Sequence, residues 1–160
     1  MAETELIPEP GEGDERSILL GWLAFHRSVL AATCAGLSDD QLAERPAPPS
    51  PLSLLGLVRH LAEMERLYGA WGNGCPSHLV RVWGDGGPDL DFDCASTEVA
   101  RSMRAWRDEK ASTDGIIKGL DLEDSAGANG RSLRWNLQKL VGEYARHNGH
   151  ADLIRAHIGA

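Results

Sequence analysis

A carboxylate and two imidazoles recur at helical spacing near the end of the chain. Glu143, His147 and His150 are separated by four and then three residues. On a helix, side chains three and four positions apart lie on the same side, so these three would fall within a stripe roughly 60° wide at about 100° per residue. Carboxylates and imidazoles are ligands of divalent metal ions. The spacing therefore makes this stripe a candidate metal site.

A third imidazole lies on a second predicted helix. His60 shares a row with Leu57, Met64 and Trp71, on the apolar side of that helix, and can therefore face the last helix. Two ligands from one helix and one from another would leave an open position for water or substrate, as in catalytic zinc sites. The plainer interpretation is an exposed ion pair beside ordinary surface histidines. Spacing alone favours this second interpretation, because the HExxH motif, a much more specific metal-binding signal, is absent from this sequence.

Four long amphipathic helices and a short one are predicted to position these residues. Each begins at a polar residue that can cap a helix: Asp14, Ser38 for the short helix, Ser53, Ser96 or Thr97, and Ser132. Between the second and third long helices, the Gly-, Pro- and Asp-rich segment 75–94 is predicted to be a long ordered loop. No alternating strand pattern is present. The predicted fold is therefore an all-α four-helix bundle, which commonly holds metal sites between facing helices.

Length, charge and cysteine usage narrow the class of protein. The chain has 160 residues, enough for one domain over residues 14–160 behind an acidic tail, 1–13, that we expect to be disordered. A formal charge of −8 argues against nucleic-acid binding, which usually needs a basic face. No apolar run approaches the roughly 20 residues that span a bilayer. Three cysteines without a CxxC pair are typical of reduced thiols, so we expect a cytoplasmic protein without membrane partners.

Three segments resemble a known superfamily. They are residues 36–42, the run His60-Leu61-Ala62 with the glutamates that follow it, and residues 143–153. The chain resembles the DinB/YfiT-like metalloenzyme superfamily, and within it the actinobacterial branch of unknown function labelled mini-circle protein. The resemblance implies a four-helix bundle with one metal-binding histidine on the second helix and two ligands four residues apart on the last.

The resemblance also implies which residues hold the metal. The matching positions here are His60, Glu143 and His147. Many relatives have two histidines on the last helix, whereas the related mycothiol-dependent maleylpyruvate isomerase has a glutamate and a histidine. His150 falls where many relatives have a glutamine, so we expect it to support the ligands or face the substrate.

The function implied by the resemblance is thiol chemistry. Related enzymes transfer mycothiol or bacillithiol to electrophiles, or isomerise substrates with their help. We therefore expect a metal-dependent, mycothiol-type S-transferase acting on small electrophiles, in which a divalent ion, zinc or nickel, activates the thiol. The physical basis is that a divalent cation lowers the pKa of a bound thiol, and the thiolate is the nucleophile. Arg146, Trp71, Trp83 and Asn136 are candidate walls or anchors for the co-substrate.

Two other functions stay open at this stage. One is a non-catalytic metal-binding or dimerisation module, whose metal would be closed off by a fourth protein ligand such as His150 or His78. The other is a hydrolase that uses metal-bound hydroxide with a glutamate as base. Apolar residues on the outward flanks of the first and third long helices are also compatible with a homodimer.

Overall fold

The described part of the chain is helical throughout its regular structure. The computed structural model describes residues 5–74, 80–125 and 127–159. Its α-helices are α1 (Glu15–Cys34), α2 (Asp39–Ala43), α3 (Leu54–Met64), α4 (Val99–Ile117) and α5 (Leu133–Ile158). No strand occurs in these ranges. The predicted all-α class is confirmed.

Most helices begin where a polar side chain can accept a backbone N–H group. Asp14 accepts from the Ser17 amide at 2.8 Å, and Ser53 accepts from the Gly56 amide at 3.0 Å. Ser132 caps α5 in the same way. Each side chain satisfies one of the amides that a helix leaves unpaired at its first turn. The short helix α2 has the reciprocal bonds of a capping box, between Ser38 and Gln41.

The start of α4 differs from the prediction. Ser96 and Thr97, the expected caps, lie inside a 3₁₀ turn, Ser96–Glu98, and α4 begins only at Val99. The Glu98 carboxylate reaches back to accept the Ala95 amide at 3.1 Å. This bond belongs to the turn that precedes α4, and α4 itself begins without a side-chain cap in the described chain.

The second long helix changes its winding after Met64. It continues as a π-helical segment, Glu65–Ala70, and then as a 3₁₀ turn, Trp71–Asn73. Gly69 in the π segment lies against α4 so closely that an added Cβ would be 2.0 Å from Thr113 Oγ1. Thr113 in turn donates its hydroxyl to the Glu65 carbonyl at 3.2 Å. The missing side chain at position 69 thus permits close packing of the two helices.

The four long helices enclose a single apolar core. α1 packs along α5, and α3 with its π segment packs against both α4 and α5. The fully buried side chains come mainly from α3 and α5: Leu54, Leu55, Leu57, Leu61, Leu133, Leu137, Leu140 and Tyr144. Within the described ranges, α1 alone has the length and hydropathy to cross a membrane. Here it contributes Leu23 and Leu30 to the core.

The connection between the second long helix and α4 is ordered over its described part. It contains a 3₁₀ turn, Pro88–Asp91. Arg59 on α3 donates to the carbonyls of Leu90 and Asp91, both at 2.9 Å. The Trp83 indole donates to the Arg59 carbonyl at 2.9 Å. These bonds hold the loop against α3; residues 75–79 lie outside the described part of the chain.

The segment before α1 also contacts the bundle. Residues 5–13 contain no helix, and the Ile7 amide donates to Ser28 Oγ at 3.1 Å. Pro10 lies against Gly21 so closely that a Cβ at position 21 would be 2.6 Å from it. The expected disorder of residues 1–13 and the single domain over 14–160 stay predictions.

Candidate metal centre

The structure brings together the three residues that the sequence proposed as ligands. His60 on α3 and Glu143 and His147 on α5 offer ligand atoms that all lie within 4.8 Å of one another. Glu143 Oε2 is 3.7 Å from His60 Nε2 and 3.5 Å from His147 Nε2. The two imidazole centroids are 4.5 Å apart. His150 is not part of this cluster.

The chemistry of these atoms fits a divalent metal ion. Among the described residues, the buried Nε2 of His60 has no hydrogen-bond partner, although buried polar atoms are normally paired. Tetrahedral bonds of about 2.1 Å separate neighbouring ligand atoms by roughly 3.4 Å, close to both distances from Glu143 Oε2. Imidazole nitrogen and carboxylate oxygen are also the donors that zinc and nickel accept.

The environment holds two of these groups in the protonation state that a metal requires. Burial, followed by the neighbouring His60, lowers the pKa of His147 to about 4 and keeps its ring neutral at physiological pH. Burial alone would raise the pKa of Glu143, but the hydrogen bond and charge of Lys139, together with the two histidines, lower it overall. A neutral imidazole and an ionised carboxylate are the ligand forms, so neither group has to lose a proton first.

The two oxygens of Glu143 have different surroundings. Lys139, one turn earlier on α5, donates its ammonium group to Oε1. Oε2 faces His60 and His147. The lysine thus orients the carboxylate and leaves one oxygen directed at the imidazoles.

A buried aspartate that the sequence analysis did not select lies on the other side of His60. Asp91 Oδ2 is 3.0 Å from His60 Nδ1, and Asp91 has no solvent exposure. Phe92 stacks on the same imidazole, with centroids 5.4 Å apart. Both residues come from the loop, 31 and 32 positions after His60, where no regular spacing relates them to α3. The only sequence signal was the abundance of aspartates in a loop long enough to have a function.

Two of the other predicted residues lie on α5 near the candidate ligands. His150 Nδ1 is 3.2 Å from His147 Nδ1, so His150 contacts this candidate ligand from the side away from Glu143. Arg146 is exposed and lines a cavity of about 400 Å³, together with Trp135, Gln138, Lys139, Gly142 and Glu143. This cavity adjoins the candidate metal centre through Glu143.

The remaining predicted residues have other surroundings. Trp83 donates its indole N–H to the Arg59 carbonyl, and the Arg59 guanidinium lies 4.0 Å from its ring. Asn136 is fully buried and donates to the Gly72 carbonyl at 3.0 Å. Trp71 is half-buried, and its indole N–H meets no acceptor in the described ranges. His78 lies outside the described residues.

A comparison with known families matches nearly the whole chain. Residues 18–160 match the family model described as Mycothiol-S-transferase. The chain belongs to the mycothiol-S-transferase family. This family is DinB-like, so the resemblance inferred from the three sequence segments is confirmed. The family match covers His60, Asp91, Glu143 and His147. No curated protein and no solved structure matches the chain.

Proposed function

We propose that this member of the mycothiol-S-transferase family is a metal-dependent enzyme that transfers a mycothiol-type thiol to small electrophiles. His60, Glu143 and His147 would hold the metal ion. The observation that carries the proposal is the convergence of their ligand atoms within 4.8 Å, with the buried Nε2 of His60 lacking a partner in the described chain. Membership of the family supports the thiol co-substrate.

The protein groups and the metal would have separate tasks. When bound, a divalent ion lowers the pKa of a coordinated thiol and so supplies the reactive thiolate near neutral pH. His60 and His147 offer imidazole nitrogens, and burial keeps the His147 ring neutral by lowering its pKa. Glu143 adds one negative charge, whose field on the substrate side is offset by Lys139. Because only three protein ligands converge in the described chain, a position would remain for the substrate.

The cavity beside Glu143 is the proposed place for the small molecules. It has a volume of about 400 Å³, within the usual range for ligand sites. Trp135 is 41% exposed and would provide an apolar wall. Arg146 provides a cationic anchor at the rim. We keep Trp71 as a candidate wall, whereas the bonds of Trp83 and Asn136 to the protein's own backbone favour supporting roles.

Metal type, compartment and assembly belong to the same proposal. Zinc or nickel suits two imidazoles and a carboxylate, and iron and manganese accept the same donors. We propose a cytoplasmic location, where a low-molecular-weight thiol stays reduced. A homodimer and the absence of nucleic-acid and membrane partners stay predictions.

Metal content and S-conjugation should be measured together on matched histidine variants. We expect His60→Ala and His147→Ala to lose bound metal and at least about 100-fold of the conjugation rate, because each removes one of three ligands. His157→Ala is the control, since His157 is exposed and, within the described part of the chain, bonds only to the Leu153 carbonyl. Full conjugation by metal-free wild type would contradict the proposal.

The same preparations separate the two alternative functions. Hydrolysis of esters or amides without added thiol would indicate the hydrolase. Metal retained through a fourth protein ligand, with no turnover of any electrophile, would indicate the non-catalytic module.

A further inference from the structure

The hydrogen bond between the loop and His60 determines which imidazole nitrogen can carry a proton. Asp91 Oδ2 lies 3.0 Å from His60 Nδ1. An ionised carboxylate can only accept hydrogen bonds, so the Nδ1 atom must be the donor. In the neutral ring the other nitrogen, Nε2, then has a free lone pair. Nε2 is the atom that faces Glu143 Oε2.

We infer that Asp91 is a positioning residue, which holds the His60 imidazole in the tautomer and orientation that present a bare Nε2 to Glu143 and His147. This inference rests on the proposed metal site for its purpose, although the tautomer itself is a property of the metal-free protein. Carboxylates behind metal-binding histidines commonly orient the ring and raise the basicity of the ligand nitrogen.

Two arginines hold the Asp91 residue from separate directions. Arg81 Nη2 is 3.1 Å from Asp91 Oδ1, the oxygen that does not face His60. Arg59 Nε donates to the Asp91 main-chain carbonyl at 2.9 Å. The side chain and the backbone of Asp91 are therefore both held by hydrogen bonds from arginines. Such support is needed because a buried carboxylate is costly unless it is paired and hydrogen-bonded.

The same loop contacts α3 one turn further along. Arg81 Nε is 3.6 Å from Glu63 Oε1, and the Trp83 amide donates to the same oxygen at 3.1 Å. Glu63 lies three residues after His60, so α3 contributes both the metal-ligand candidate and the anchor of its supporting loop. Damage to this loop should consequently weaken metal binding without any change in the ligands themselves.

Zinc affinity, measured by competition with a chromophoric chelator, tests the inference with a near-isosteric change. In Asp91→Asn, the amide N–H can donate to His60 Nδ1 and so favour the tautomer that places a proton on Nε2. We expect zinc to bind about 10- to 100-fold more weakly, the usual effect of losing such a partner. Glu98→Gln is the matched control. Glu98 pairs with Arg59 at 3.3 Å but does not contact His60. Its replacement should therefore leave the zinc affinity within about twofold.

A second variant loosens Asp91 without replacing it. Arg81→Gln removes the cationic partner of Asp91 Oδ1. The Arg81 side chain is 22% exposed. We expect an intermediate loss of zinc affinity, smaller than that of Asp91→Asn. If Asp91→Asn fails to fold, this variant and the tautomer measurement below still decide the question.

The tautomer can be read directly in metal-free protein. Nitrogen-15 NMR of the histidine side chains at about pH 8, above the ordinary histidine pKa, should show His60 with its proton on Nδ1. A wild-type His60 with its proton on Nε2, or unchanged zinc affinity in folded Asp91→Asn, would overturn the inference. If the wild type binds no zinc, the proposed function fails, and the tautomer alone decides the role of Asp91.

Discussion

Replacing Tyr144 by phenylalanine should destabilise the protein through one lost oxygen atom. The Tyr144 hydroxyl donates to Glu65 Oε1 at 2.7 Å and accepts from the Trp106 indole N–H at 2.7 Å. Tyr144 and Glu65 have no solvent exposure, and Trp106 has 5%. Burial, and then the nearby Glu65 charge, raise the pKa of Tyr144, so the hydroxyl keeps its proton and donates. One oxygen thus connects α5 with the π segment and with α4.

The size of the effect follows from the groups that remain. Tyr144→Phe removes a hydrogen bond to a charged acceptor, worth about 1.5–3 kcal/mol, and leaves a buried indole N–H unpaired at a cost of about 1–3 kcal/mol. Arg27 still donates to both Glu65 oxygens, at 2.8 and 2.7 Å, so the carboxylate keeps its charged partner. We therefore expect a loss near the low end of the sum, about 3 kcal/mol. For a domain of this size, that lowers Tm by roughly 6–12 °C.

Urea unfolding followed by circular dichroism would measure this loss. The chain has one other tyrosine, which is the control. Tyr68 is half-exposed and contacts Trp135 edge to face, with ring centroids 6.0 Å apart, and its hydroxyl has no partner among the described residues. Tyr68→Phe should change the free energy of unfolding by less than about 0.5 kcal/mol. A change that small for Tyr144→Phe would refute the stabilising role of the two hydrogen bonds made by the Tyr144 hydroxyl.

Three further predictions concern buried groups. In metal-free protein, burial and then His60 lower the pKa of His147 from 6.5 to about 4. The unfolded chain therefore binds more protons between these values, so the free energy of unfolding should fall by about 3 kcal/mol as the pH falls through that window. In His147→Gln, urea unfolding at a series of pH values should no longer show this fall in the free energy of unfolding. An unchanged pH profile would contradict the lowered pKa of His147. Gly69→Ala should cost about 1–3 kcal/mol in thermal unfolding because of Thr113, and adding Thr113→Ala should recover part of it. Burial raises the pKa of Cys34 to about 12, so alkylation mapped by mass spectrometry at about pH 8 should spare Cys34 until denaturant is added, and rapid native labelling would be inconsistent with that burial.

Most of the helical architecture could be predicted because its signals are local. Asp14, Ser53 and Ser132 cap the helices that their positions predicted. Apolar periodicity identified the inner side of α3, where Leu57 and Met64, predicted to share a row with His60, are buried. The start of α4 was misplaced because Ser96 and Thr97, the expected caps, lie in a 3₁₀ turn that the apolar periodicity does not encode. The π segment after Met64 could not be foreseen either, since it arises where Gly69 and Thr113 pack across two helices.

The candidate ligands divide in the same way. The i,i+4 relation of Glu143 and His147 is a property of one helix, so the sequence by itself determined that these groups are neighbours. It also determined that His60 lies on the inner row of another helix. Only the tertiary structure decided that His60 Nε2 lies 3.7 Å from Glu143, and that Asp91 lies behind the same ring. The physical reason is that helical geometry relates residues up to a few turns apart, whereas the packing of α3 on α5 and the path of an irregular loop depend on contacts across the whole bundle.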